Sequence, residues 1–186
     1  MTRDLTRDPV RHLARGPGAE LVDVVDETGR PVGTVSRSVM RARRLPHRSV
    51  YVLVFNRGGD LFVHLRTADK DVYPAHWDVA IGGVLAAGES FDAAGRREAR
   101  EELGVELAPE RLFPFRWTDA ASDVHGMVYR ARHDGPFVLQ PEEIVRGEFV
   151  PLDEVAARAV REPFCPDGLA ALREYRRREP PSGGRG

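Results

Sequence analysis

The stretch Gly83–Val105, GVLAAGESFDAAGRREAREELGV, dominates the interpretation of this chain. Its second half, Ser90–Leu103, lacks proline, is rich in Ala, Glu and Arg, and begins with Ser90 and Asp92, residue types that cap helix N-termini. Gly104 follows, and glycine commonly ends a helix. The sequence therefore predicts a helix over Ser90–Leu103.

Three glutamates on this helix are expected to share one face. Glu98, Glu101 and Glu102 stand at i, i+3 and i+4, which places them within an arc of about 100°. Like charges so close repel each other and weaken a helix. A divalent cation would turn that repulsion into binding, and carboxylate oxygens favour Mg²⁺ or Mn²⁺. The alternative interpretation is a solvated acidic face.

The spacing of the fixed residues favours the metal. Seven letters at fixed offsets match by chance on the order of 10⁻⁷ per starting position, and the pattern resembles the Nudix box, Gly-x5-Glu-x7-Arg-Glu-U-x-Glu-Glu-x-Gly-U, in which U is a bulky aliphatic residue. Ala99 is smaller than the usual first U, and Gly95 is a poor helix former. The fixed positions are Gly83, Glu89, Arg97, Glu98, Glu101, Glu102 and Gly104.

The resemblance implies an α+β protein with the Nudix fold, a mixed β-sheet sandwiched between helices (α/β/α). At 186 residues the chain suits one domain. We expect a mobile N-terminal segment at 1–18, a Nudix hydrolase domain at 19–178 and a disordered tail at 179–186.

On both sides of the box, hydrophobic runs and turn residues predict the other strands and helices. Glu20–Val35 reads as a hairpin with its turn at Asp26–Gly29. Val50–Asn56 and Leu61–Arg66 form a second hairpin. Further strands are predicted at Trp77–Val84, Gly104–Leu107, Arg111–Thr118, Val124–Ala131 and Glu148–Pro151, and further helices at Leu152–Arg161 and Asp167–Arg178.

The chain is also similar to the isopentenyl-diphosphate-isomerase-like branch of the Nudix superfamily. The similar positions are Glu20–Glu27, Pro46-His47-Arg48, Leu61–Arg66, Lys70, Pro74 and Trp77. The isomerase requires Cys-Gly-His-Pro before the box, where this chain has Gly82-Gly83-Val84-Leu85. An upstream metal histidine falls at Met40. Without these side chains we predict a hydrolase in an isomerase-like frame.

The resemblance implies roles for individual residues. Glu98, Glu101, Glu102 and the Gly83 carbonyl would hold Mg²⁺ or Mn²⁺, and the base that activates water would be Glu98, Glu101 or Glu143. Arg66 and Lys70 match positions that bind diphosphate, although they could be ordinary surface cations. Glu89, Arg97 and Gly104 would be structural, with Arg97 pairing with Glu89 or with a box glutamate.

An arginine-rich segment at Ser36–Arg44 allows two interpretations. It is either a solvated helix or loop beside the site, or a set of cations that steers an anionic substrate.

Composition limits the partners. The net charge is −1 with 31% charged residues, so no global field indicates nucleic-acid polymers or membranes. The single cysteine, Cys165, excludes an intrachain disulfide. No secretory signal or membrane-spanning run is visible, and we expect a cytoplasmic enzyme that binds a small-molecule diphosphate.

Other functions and assemblies remain open from the sequence. A nucleotide-binding or regulatory module with the Nudix fold and no turnover is the main alternative, and an isomerase is a remote one. Many Nudix proteins dimerise, so a homodimer is compatible with the resemblance.

Overall fold

A computed structural model describes residues 18–178 of the protein, as eight strands and four helices. The expected mobile segment, except for Gly18, and the expected disordered tail lie outside these residues. The strands are β1 (Leu21–Val25), β2 (Pro31–Ser36), β3 (His47–Phe55), β4 (Leu61–Arg66), β5 (Trp77–Asp78), β6 (Glu110–Thr118), β7 (Asp123–Arg132) and β8 (Ile144–Val150). The helices are α1 (Arg37–Arg43), α2 (Phe91–Leu103), α3 (Leu152–Arg158) and α4 (Pro166–Arg178).

The strands form one mixed sheet around β3. Strand β3 pairs with β7 in parallel along its whole length, from His47 opposite Val124 to Phe55 opposite Arg132. The other pairings are antiparallel: β1 with β2 and β3, β4 with β3, β5 and β8, and β6 with β7. Both predicted hairpins, β1–β2 and β3–β4, are therefore confirmed.

Alternation along β3 places helices on both faces of the sheet. One set of side chains, Val50, Val52 and Val54, joins the core beneath α2, together with Ala94, Ala99 and Leu103. The intervening set, Tyr51, Leu53 and Phe55, joins the core beneath α3 and α4, together with Val155, Ala171 and Leu172. Because successive side chains of a strand point to opposite faces, a strand that is apolar on both faces needs this double cover. The predicted α/β/α sandwich is confirmed.

Two predicted strands are wrong. Trp77–Val84 pairs regularly only at Trp77–Asp78, because the Asp78 carboxylate accepts hydrogen bonds from the amides of Val79 and Ala80 and diverts the backbone from the ladder. Residues 104–107 form no strand. Gly104 turns the chain into the left-handed region at φ 67°, and the amide of Val138 binds the helix-end carbonyl of Leu103.

The backbone before the box passes unusually close to β3. A β-carbon at Gly82, which has a φ of 155°, would overlap the carbonyl oxygen of Val50. The amide of Val50 in turn donates to the carbonyl of Gly83, at 3.0 Å. Only glycine allows this approach, which fixes the position of Gly83 against the central strand.

Ser90 caps α2, and its removal has a measurable expected effect. Its hydroxyl accepts a hydrogen bond from the amide of Ala93 at 3.2 Å. We expect Ser90→Ala to lower the free energy of unfolding by about 1 kcal/mol, as measured by urea denaturation. Ser90→Asp retains the acceptor and adds a charge that suits a helix N-terminus, so it should be as stable as the native chain. Equal losses in both variants would contradict this assignment.

Candidate active site

The box residues line a cleft of about 520 Å³, which we call the box cleft. It lies between α2, the loop at 82–89, and side chains contributed by two distant loops. The cleft brings together Glu98, Glu101, Glu102, Lys70, Gln140 and Glu143. The volume is within the range of small-molecule sites.

Of the three box glutamates on α2, Glu98 and Glu102 are buried and Glu101 is exposed. Glu98 and Glu102 have relative accessibilities of 8% and 6%. Burial raises the pKa of Glu98, although the guanidinium of Arg97 opposes the rise. Burial also raises the pKa of Glu102 well above its usual range, and the negative charge of Glu98 raises it further. Two carboxyl groups held this way resist ionising together, so they form a site that a cation would stabilise.

Arg97 holds the acidic face in place. Its Nε and Nη2 atoms each donate to a different oxygen of Glu89 at 2.9 Å, so the predicted ion pair is present. Nη1 donates to Glu98 at 2.9 Å and to Glu101 at 3.0 Å. Glu89 also accepts from the amide of Ala86 at 2.9 Å. Through Arg97, the 82–89 loop and α2 become one rigid unit.

Gly83 lies directly against the carboxylate of Glu98. A β-carbon on Gly83 would stand 2.7 Å from Glu98 Oε1. Its carbonyl oxygen accepts from the amide of Val50, and a carbonyl has two lone pairs. The backbone of Gly83 and the carboxylate of Glu98 are therefore adjacent in the cleft.

The candidate ligands suit a hard divalent cation, but in residues 18–178 they do not converge around one point. All the candidate ligands are oxygens, as Mg²⁺ and Mn²⁺ prefer. Within residues 18–178, no three His, Cys, Asp or Glu side chains converge closely enough to enclose a metal ion. The carboxylate of Glu101 contacts Arg97 and is largely exposed. A metal site at this cleft would thus require Glu101 to turn away from Arg97.

Glu143 reaches the box cleft and Glu142 does not line it. Glu143 forms an ion pair with Lys70, and both side chains line the cleft. Glu142 is exposed, and its backbone carbonyl accepts from the hydroxyl of Thr67. Burial lowers the pKa of Lys70, and repulsion from Arg66 lowers it further.

Arg66 lies beside Lys70 but faces another space. Its guanidinium donates to the carbonyls of Val72 at 3.0 Å and Tyr73 at 3.4 Å, and it lies 3.7 Å from Asp78. Burial would lower the pKa of Arg66, but the charge of Asp78 opposes this and the pKa is raised overall. Arg66 lines a smaller cavity adjoining the box cleft, which we call the inner cavity, and Lys70 lines both.

The arginine-rich segment forms α1, and part of it belongs to the site. Arg37 and Arg41 are half-buried and both approach Asp71, at 3.9 and 3.0 Å. Arg41 also donates to the hydroxyl of Ser122 at 3.3 Å. Arg43 is exposed, as a solvated helix predicts. The two half-buried arginines connect α1 to loops that enclose the inner cavity.

Sequence analysis missed most residues of the inner cavity. Its lining includes Ser49, Tyr51, Asp71, Asp78, Ser122 and Asp167. One feature of the sequence indicates this cavity. Strand β3 alternates His47, Ser49 and Tyr51 on a face that continues as Leu53 and Phe55, and polar side chains at one end of a buried strand face suggest a site.

Comparisons with known proteins give matches over most of the chain. The family model of the NUDIX domain matches residues 45–168. An uncharacterized Nudix hydrolase of Pseudomonas aeruginosa is 40% identical over 158 residues, which cover 84% of this chain and 94% of that protein. One of Streptomyces coelicolor is 43% identical over 160 residues, covering 84% and 88%. The crystal structure of DR0079 from Deinococcus radiodurans is 32% identical, with a TM-score of 0.74, covering 84% of this chain and 100% of that one.

None of the helices in residues 18–178 is both long and apolar enough to cross a bilayer.

Proposed function

We propose that this chain, which belongs to the Nudix family and is a Nudix hydrolase, uses a divalent metal ion to cleave the diphosphate linkage of a nucleoside-diphosphate-type substrate. The observation that carries the proposal is the buried carboxyl pair Glu98 and Glu102, each with a raised pKa, at a cleft that also contains Lys70 and Glu143. Burying two such groups together without a cation is costly, which supports a functional reason for the pair.

The metal ligands in this proposal are Glu98, Glu101, Glu102 and the carbonyl of Gly83, with Mg²⁺ or Mn²⁺ as the ion. When bound, such an ion neutralises charge on phosphate oxygens and lowers the pKa of a coordinated water. Arg97 donates to both Glu98 and Glu101 and so keeps the two carboxylates at the cleft. Glu89, Arg97 and Gly104 shape the box without contacting substrate.

Lys70 and Arg66 are proposed to bind the diphosphate where the box cleft meets the inner cavity, since Lys70 lines both spaces and Arg66 lines the cavity. They are close enough for Arg66 to depress the pKa of Lys70, and two adjacent cations favour a group that carries two negative charges. Lys70 currently neutralises Glu143. A bound diphosphate would compete for Lys70 and release the Glu143 carboxylate to accept a proton from water. Glu98 and Glu101 remain the other candidates for that base.

Adjacent glutamates provide a matched test of the base. We expect Glu143→Gln to lower kcat by about 10²-fold, because general-base catalysis is worth roughly 10²–10⁴-fold, while KM changes little or falls as Lys70 becomes free for phosphate. Glu142→Gln, at an exposed position, should retain native kinetics. Steady-state rates with a hydrolysed diphosphate compound measure both. An unchanged kcat in Glu143→Gln would leave Glu98 or Glu101 as the base.

A panel of diphosphate compounds tests the function itself. Nucleoside diphosphates, nucleoside triphosphates and compounds with two moieties joined by diphosphate would be incubated with Mg²⁺, Mn²⁺ or EDTA. We expect phosphate or nucleotide release that requires metal. Metal-dependent binding of a compound without any release would favour the nucleotide-binding alternative instead. Our proposal also includes a cytoplasmic location, small-molecule partners only and a homodimer, each testable separately.

A further inference from the structure

The inner cavity continues from the box cleft into the protein. Arg37, Lys70, Gly82, Gly83 and Val84 line both spaces, so a molecule in the box cleft could extend one end into the cavity. The cavity has a volume of about 70 Å³, which is enough for several water molecules, since one water needs roughly 10–15 Å³. A small group fits there, whereas an aromatic base does not.

One wall of the cavity is the polar end of a core strand. His47, Ser49 and Tyr51 lie on the same face of β3, and all are buried. The same face continues as Leu53 and Phe55 in the core beneath α3 and α4. Buried polar side chains cost stability unless they find partners. A polar group of this face that lacks a partner within the protein therefore marks a place where a polar ligand would be stabilised.

Two acceptor atoms in this lining have no partner among residues 18–178: His47 Nε2 and Asp167 Oδ1. His47 Nδ1 donates to the carbonyl of Leu45 at 2.9 Å, which leaves Nε2 with a lone pair in the neutral ring. Burial lowers the pKa of His47 to about 4, so the ring is neutral at pH 7. Asp167 Oδ2 accepts from the hydroxyl of Tyr51 at 3.0 Å, while Oδ1 is free.

The charged side chains around the cavity determine which kind of ligand group can bind there. Four cationic side chains and three carboxylates line it: Arg37, Arg41, Arg66 and Lys70 with Asp71, Asp78 and Asp167. Asp71 and Asp78 lie beside Arg41 and Arg66, so the cations exceed the anions by one and disfavour an ammonium group. An anion would face the lone pairs of His47 and Asp167, which also repel it. A hydroxyl group suits both features, because it donates to the free acceptors and accepts from the surrounding guanidinium groups.

We propose that the inner cavity binds a small hydroxyl-bearing group of the substrate, such as the end of a sugar attached to the diphosphate. This inference rests on the proposed function, because the diphosphate in the box cleft is what positions the hydroxylated group. It assigns a recognition role to His47, Ser49 and Asp167, which take no part in the metal chemistry.

Two compounds, one with hydroxyl groups on the variable side of the diphosphate and one without, test the proposal. Both carry adenosine on one side of the diphosphate; the other side is ribosyl in the first and n-pentyl in the second. Binding would be measured by calorimetry in EDTA, and hydrolysis with Mg²⁺. We expect the ribosyl compound to bind the native protein at least tenfold more tightly, since the pentyl compound leaves the buried acceptors unpaired.

Two variants localise the preference to the cavity. Asp167→Asn has the same shape; its amide oxygen can accept from Tyr51, which puts the NH₂ donor in place of the free Oδ1 acceptor. Ser49→Val replaces a hydroxyl with methyl groups on a strand that favours β-branched residues. Both should reduce the ribosyl preference to less than about threefold. Asp153→Asn, at an exposed site in the first turn of α3, is the matched control and should retain it. Circular dichroism would verify that each variant is folded.

Each outcome bears on one of the two proposals. Preferential ribosyl binding without hydrolysis of either compound would support the cavity and contradict the hydrolase. Hydrolysis of both compounds without a native preference, or with a preference that survives both variants, would overturn the cavity assignment and leave the hydrolase intact. Failure of the native protein to bind either compound would also overturn the cavity assignment.

Discussion

Replacing Glu102 with Gln is expected to lower the rate of metal-dependent hydrolysis by about 10³-fold. The same change should make the metal-free protein more stable. Glu102 is a buried carboxyl of the box: burial and the charge of Glu98 raise its pKa well above its usual range. The isosteric amide cannot provide an anionic ligand, and metal assistance is worth several kcal/mol in the transition state. In EDTA the same change removes a carboxyl whose charged form is disfavoured by burial and by Glu98, so the melting temperature should rise by about 2–4 °C.

The stability gain should depend on pH in a defined direction. A carboxyl with a higher pKa in the folded than in the unfolded chain binds its proton more tightly when folded. The metal-free native protein therefore loses stability as the pH rises above about 4.5 and Glu102 is forced to ionise. Glu102→Gln should lose less over the same range, and thermal melts at several pH values in EDTA measure the difference.

A neighbouring glutamate provides the control for Glu102. Glu106→Gln changes an exposed side chain that pairs weakly with Arg100 at 3.3 Å, so activity and melting temperature should stay native. Metal-dependent turnover that survives in Glu102→Gln would contradict the role assigned to this carboxylate.

Replacing Arg97 with Ala is expected to lower the free energy of unfolding in EDTA by about 2–4 kcal/mol. Removing one member of a buried ion pair typically costs 3–5 kcal/mol, and the value is smaller here because the Arg97 side chain is 26% exposed. The loss would leave Glu89 and Glu98 buried without their cation. Mg²⁺ should restore part of the stability, since the ion supplies positive charge to Glu98.

Urea denaturation with EDTA and with Mg²⁺ measures this effect. Arg97→Lys keeps the charge but not the two-pronged contact with Glu89, and it should fall between the alanine variant and the native chain. Arg100→Ala, on an exposed part of α2, should change stability by less than about 1 kcal/mol. If Mg²⁺ stabilised native protein and Arg97→Ala equally, Arg97 would not be compensating the charge of the metal ligands.

The box helix could be predicted because its signals are local. The cap at Ser90, the stop at Gly104 and the helical spacing of the glutamates all act within a few turns of chain. Hydrophobic runs and turn residues likewise predicted β3 and β4, whereas the helices on both faces of the sheet were expected from the resemblance to the Nudix fold. In contrast, Gly104–Leu107 looked like a strand from its composition, but no neighbouring strand provides hydrogen bonds there.

The spacing of the helix glutamates could not predict which of them are buried. Glu98, Glu101 and Glu102 have equivalent positions in the pattern, yet only Glu98 and Glu102 are buried, because the 82–89 loop and the loop carrying Lys70 close over them. The inner cavity is likewise built from α1, β3 and α4. Its ion pairs, such as Arg41 with Asp71, join residues far apart in sequence, and no local rule indicates such pairs.

The most direct test of the central claim is the binding of Mn²⁺ to the purified protein, measured by electron paramagnetic resonance of the free ion. We predict saturable binding to the native chain and to Glu106→Gln, and binding at least tenfold weaker in Glu102→Gln. Such a result would establish that the buried carboxyl pair is a cation site. Equal Mn²⁺ binding by all three proteins, or none by the native chain, would contradict the metal site on which the proposed hydrolysis depends.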